Sequence, residues 1–86
     1  MHRVIERIVT DLMPFLRRLA VEGTADQARG ARQAIWISYT GLTIAGDKQR
    51  FRDELRKRAI DQESKAGAES EKLFWRDVAE YASGSL

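Results

Sequence analysis

Cysteine is absent from this chain, and histidine and proline occur once each. Without cysteine there is no disulfide, no thiolate nucleophile and no thiolate metal site, which fits a reducing compartment and gives an expected cytoplasmic location. The only histidine, His2, lies next to the first residue, so no Ser–His or Cys–His pair, no HExxH and no metal-ligand cluster can be assembled from the sequence. Gly41 and Gly46 lack the spacing and the Lys-Ser/Thr of a phosphate loop. Carboxylate neighbours such as Asp53 with Glu54, or Glu69 with Glu71, fall among other charged and polar residues and read as solvated surface. These absences predict a protein that is not an enzyme and carries no cofactor and no metal.

Long hydrophobic runs are missing as well. No stretch approaches the roughly 20 apolar residues of a membrane span, and Met1-His2-Arg3 leads into mixed apolar and charged residues instead of the unbroken apolar core of a signal peptide. No membrane partner is expected. A net charge of +2 is too small to imply nucleic acid by itself. What is present, 43% hydrophobic and 33% charged residues, is the composition of a globular chain. At 86 residues it holds one small domain with a modest core, which makes self-association an expectation.

Residues 3–22 have helical periodicity. At 100° per residue, Val4, Ile5, Ile8, Leu12, Phe15, Leu16 and Leu19 share one side, with Val9 and Met13 at its border. Arg3, Glu6, Arg7, Thr10, Asp11, Arg17 and Arg18 lie opposite. Pro14 removes one helical hydrogen bond, but the apolar stripe keeps its phase across it, which predicts one kinked helix with Pro14 on the wet side. Gly23 suits a helix C-cap, and Thr24 with Gln27 matches a capping box for a second helix from Ala25.

The uncharged run IWISYTGLTIAG, residues 35–46, fits either a continuation of that helix or a hairpin turning at Thr40-Gly41. Helical period accounts for the whole of residues 28–45, whereas strand alternation accounts only for the second half, so a helix over residues 25–45 is expected. Its β-branched residues and interior Gly41 weigh against it. Ala28, Gly30, Ala31, Ala34, Ile35, Ile37, Ser38, Gly41, Leu42, Ile44 and Ala45 form one wide arc with Tyr39 at its edge, which predicts a central helix with several neighbours. Small residues in that arc permit close helix packing, within the chain or across a homodimer. Arg29, Arg32, Gln33, Trp36, Thr40 and Thr43 lie on the other side.

Asp47 is a suitable N-cap for a third helix over residues 48–65, whose thin stripe of Phe51, Leu55, Ala59 and Ala66 places it on the surface of the bundle. Phe74, Val78 and Tyr81 are out of phase with that stripe by more than about a quarter turn, so a break near Gly67 is expected, followed by a helix over residues 68–82. That last helix should bury Phe74, Val78, Tyr81 and Ala82, with Leu73 and Trp75 at the borders and Ser83-Gly84 as its stop. The fold expected is therefore all-α, a small antiparallel bundle of three or four helices.

Two surfaces stand out. Trp36, with Arg29 and Arg32 on the same side of its helix, has the composition of a protein-binding hot spot. This supports a non-enzymatic interaction module, such as a small adaptor, inhibitor or regulatory subunit. Lys48, Arg50, Arg52, Arg56, Lys57 and Arg58 form a basic cluster, and their chemistry supports the alternative, a regulator contacting nucleic-acid phosphates. The charges surround the helix, and Glu54–Arg58 is a favourable i,i+4 pair, so a solvated face also explains them. No helix-turn-helix pattern is present.

Overall fold

The computed structural model describes residues 2–22 and 25–85. Four helices follow one another: α1 (His2–Glu22), α2 (Ala25–Thr40), α3 (Ala45–Lys65) and α4 (Glu69–Glu80), ending in a wide π-type turn, Tyr81–Ser85. Among the described residues there is no strand, and the fold is a small all-α bundle. No described helix is long and apolar enough to cross a membrane. Gly23, the expected C-cap, and Thr24, the first residue of the expected capping box with Gln27, lie outside the described residues.

The core is built from helical spacing. Ile5, Val9, Met13 and Leu16 supply it from α1, Ala31 and Ile35 from α2, Phe51, Leu55 and Ala59 from α3, and Trp75, Val78 and Ala82 from the last segment. No polar or charged residue is buried among the described residues. α1 is continuous through Pro14, which is exposed. Water can therefore reach the Thr10 carbonyl that the proline leaves without its usual amide donor. The buried face of α1 is rotated from the expected stripe: Val9 and Met13 are fully covered, while Val4 is 57% and Phe15 43% exposed.

α2 stops at Thr40, five residues short of the expected Ala45. The hairpin alternative does not form either. The chain leaves the helix at Gly41, whose amide donates to the Ile37 carbonyl at 3.2 Å, while the Leu42 amide donates to the Tyr39 carbonyl at 3.1 Å. Thr40 Oγ1 donates to the Trp36 carbonyl at 2.9 Å, so a side chain satisfies an acceptor at the frayed end. Glycine's entropy and the β-branched Thr43 and Ile44 beyond it oppose further helix, and the exposed side chains of Thr43 and Ile44 gain no burial that offsets this. Of the residues assigned to the wide arc, Ile37, Gly41, Ile44 and Ala45 are exposed.

α3 starts at Ala45, not Lys48. Its N-cap is Ile44, in extended conformation and with no side-chain cap. Asp47 sits in the first turn, not before it. In the first turn negative charge is still favoured by the helix dipole, although the carboxylate makes no capping hydrogen bond. The break at Gly67 occurs as expected, between Lys65 and Glu69. In α4 the fully buried aromatic is Trp75, with Phe74 only half-buried and edge-on to it at 5.2 Å, while Leu73 is exposed.

The places of α2 and α3 are also exchanged relative to expectation. α3 packs closely on α4, on α1 and on the terminal turn, whereas α2 rests mainly on α1 and the edge of α4. Phe51 and Leu55 fill more volume than the alanines and glycine of α2, and area buried, not the angular width of an apolar arc, decides which helix is central.

Candidate interaction surface

The exposed end of α2 carries the first candidate site. Trp36 is 48% exposed. Its ring stacks on Tyr39, one turn on, at 6.2 Å between centroids and 29° between planes. Tyr39 in turn lies 6.3 Å from the fully buried Phe51, so an aromatic ladder runs from the surface indole to the core. Lys48 clamps the middle rung: its Nζ lies 4.5 Å from the Tyr39 ring centroid and donates to the Tyr39 carbonyl at 3.3 Å. Ile37 and Ile44, each 61% exposed, add apolar surface at this end of the helix.

The two arginines beside Trp36 differ. Arg29 is exposed and forms no ion pair among the described residues. Arg32 is engaged within the chain: Nε and Nη2 donate to the two carboxylate oxygens of Asp77 on α4, at 3.2 and 2.6 Å, and its guanidinium lies 5.4 Å from the Tyr81 ring. The Asp77 hydrogen bond, and then its charge, raise the Arg32 pKa, against a smaller opposing effect of burial. A raised pKa in a cation contributes stability at every pH below its ordinary value, which is lost only in strong alkali; Arg32 is protonated across the neutral range with or without Asp77, so the contribution of the pair does not vary with pH there.

The basic cluster on α3 is mostly committed to internal contacts. Arg50 pairs with Asp47 at 3.3 Å. Arg52 donates from Nε to the Ala82 carbonyl and from Nη2 to the Ser83 carbonyl, both at 3.1 Å. Arg58 pairs with Glu54 at 2.7 Å and donates to Thr10 Oγ1 at 3.0 Å. With Lys48 on Tyr39, four of the six cations have intramolecular partners, leaving Arg56 and Lys57 exposed beside Ile60. The shallow groove between α1 and α3, lined by Ile5, Glu6, Arg50, Asp53, Glu54 and Lys57, mixes both signs of charge and has no single-sign floor.

Sequence reasoning did not find Tyr39 or Lys48 as parts of the Trp36 surface. The i,i+3 spacing of Trp36 and Tyr39 carried the first signal; the second depended on the turn at Gly41 bringing the first turn of α3 beside Tyr39. No cluster of three or more His, Asp or Glu side chains suited to a metal occurs among the described residues. Comparison with known protein families, with characterised proteins and with solved structures finds no match to this chain.

Proposed function

We propose that this protein is a non-enzymatic interaction module, an adaptor, inhibitor or regulatory subunit, that binds a partner protein through the exposed end of α2. The observation that carries this reading is Trp36 itself: a half-exposed indole held by Tyr39 against a core aromatic. A ring already fixed in place loses little side-chain entropy on binding and offers a large apolar area, which are properties of an interface anchor. Ile37 extends the apolar contact, and Arg29 supplies a charge without an internal partner among the described residues. The partner that fits has an apolar pocket for the indole and a carboxylate at its rim. The lack of cysteine suits a cytoplasmic setting.

The test places a photo-crosslinking amino acid at position 33, exposed one turn before Trp36 on the same side of α2, and as a control at position 57, in cells that make the protein. A discrete protein adduct from position 33, lost in competition with excess wild-type chain but not with Trp36→Ala, is the expected result. If Trp36→Ala competes as well as wild type, the reading fails. The rival reading, phosphate contact through Arg56 and Lys57 and their neighbours on α3, predicts nuclease-sensitive recovery and a steep loss of binding with added salt.

A further inference from the structure

The outer face of α1 carries a charge pattern that the bundle does not use. Arg7, Asp11, Arg18 and Glu22 are all exposed, and at 100° per residue they fall within one narrow arc opposite the buried Ile5, Val9 and Leu16. Arg7–Asp11 and Arg18–Glu22 have i,i+4 spacing, yet neither closes as an ion pair, and none of the four is paired among the described residues. Cation before anion is the poorer orientation for such pairs in a helix. Alongside them lie Phe15, 43% exposed, and Pro14, also exposed.

The signs alternate along the axis as plus, minus, plus, minus. Positions 11 and 18 are equally distant from the midpoint between Pro14 and Phe15, and so are positions 7 and 22. Turning the helix end over end about that midpoint sets each cation opposite an anion. A two-fold axis does this to a second copy. We propose that this chain forms a homodimer through antiparallel pairing of α1 with α1 of a second copy, the two-fold axis passing between Pro14 and Phe15. Asp11 of each copy then faces Arg18 of the other, Arg7 faces Glu22, and each Phe15 ring lies over the other copy's Pro14. Shifting the helices by one turn, so that Val4 meets Val21, sets Arg7 against Arg18, so charge selects the register. One helix pair about 31 Å long lies at the small end of protein interfaces, so the dimer is weak and depends on concentration. This face is separate from the Trp36 end of α2, and the two readings stand or fall independently.

Charge reversal tests it. Sedimentation or light scattering of the wild-type chain over a dilution series is expected to move from the 9.8 kDa monomer toward twice that mass as concentration rises. Asp11→Arg places two cations at each of two symmetry-related contacts, and Arg18→Asp places two anions there. Each variant alone is expected to weaken dimerisation about tenfold or more. Mixed in equal amounts, they pair as a heterodimer. The new cation at position 11 of one chain then meets the new anion at position 18 of the other, and at the second contact the unchanged Arg18 and Asp11 keep their original pairing. Trp36→Ala retains the wild-type dimer. Both reversed positions are exposed, so circular dichroism should show unchanged helix content. A wild-type chain that stays monomeric at all concentrations, or single variants that dimerise like wild type, or a mixture that does not restore pairing, would each overturn the proposal.

Discussion

α2 and α3 are consecutive helices that reach the core by different means. α3 sends in a single line at four-residue spacing, Phe51, Leu55 and Ala59, all fully buried, with Gln62 and Ala66 continuing it half-buried. Most of the rest of its circumference is charged, with Ile60 the large apolar exception. α2 has a broad arc of small and apolar residues, but among the described residues only Ala31 and Ile35 of it are buried, while Trp36 and Ile37 are exposed. A narrow line of large side chains outcompetes a wide arc of small ones, because the free energy of burial follows area removed from water, and alanine and glycine bring little. The consequence is a division between a helix that holds the bundle together and one that presents a surface.

The largest effect that can break this contrast comes from Phe51→Ala. Removing a fully buried ring from the centre of α3 is expected to destabilise the fold by about 3–5 kcal/mol. That is a large share of the roughly 4–13 kcal/mol a domain of this size has in total. Trp36→Ala, half-exposed on α2, should cost less, about 1–2 kcal/mol, by the smaller area it covers. Urea melts of the two variants make the comparison directly. Equal losses would mean that α2 is as much a part of the core as α3.

Next in size is Arg52→Ala. The Arg52 fork satisfies the carbonyls of Ala82 and Ser83 and ties the closing turn to α3. Charge-assisted bonds at a partly exposed site suggest a loss of about 1–2 kcal/mol, with faster amide exchange after Glu80. Arg52→Lys should recover little of it, because an ammonium does not present two N–H groups in a fixed fork.

Gly30→Ala should act in the opposite direction. Among the described residues a Cβ at Gly30 meets only Leu19 Cδ1, at 3.8 Å, which is ordinary van der Waals contact. Inside a helix, replacing glycine by alanine then gains about 0.5–1 kcal/mol, mainly by restricting the unfolded chain. A thermal melt showing loss instead would mean that α1 and α2 must approach more closely than this contact allows, and that the small residues of α2 serve packing after all.

Much of the fold was legible from periodicity. α1 keeps one phase for its whole length, and Gly67 separates two stripes that cannot share a face, so their positions followed from geometry alone. The end of α2 was not legible in the same way. Residues 41–45 continue the helical phase of the apolar pattern, and only the weak propensities of Gly41, Thr43 and Ile44 oppose it; their exposure, a tertiary outcome, settled the balance. The burial of Trp75 over Phe74 likewise depended on how α4 rolls against α3. For the candidate surface, Trp36 could be placed on the outer side of α2 from its spacing, with Arg29 and Arg32. The partnership of Arg32 with Asp77 could not, since residues 45 apart in sequence meet only through the packing of α4.

The smallest effect sharpens the contrast at its edge, where α2 touches α4. Arg32 and Asp77 form a two-pronged pair with side chains 52% and 33% exposed. Water and salt screen such a contact, so a double-mutant cycle of Arg32→Ala and Asp77→Ala should give a coupling of about 0.2–1 kcal/mol, falling further in high salt. Its value to the molecule is then orientation more than stability: the fork fixes the face of α2 that carries Trp36 relative to α4, and the Tyr81 ring beneath the guanidinium limits its swing. The indole fluorescence of Trp36, measured in a Trp75→Phe background so that one tryptophan reports, should become less anisotropic in Arg32→Ala at nearly unchanged melting temperature. Unchanged anisotropy would show that the Tyr39 stack alone holds the ring, and that α4 contributes nothing to the surface α2 presents.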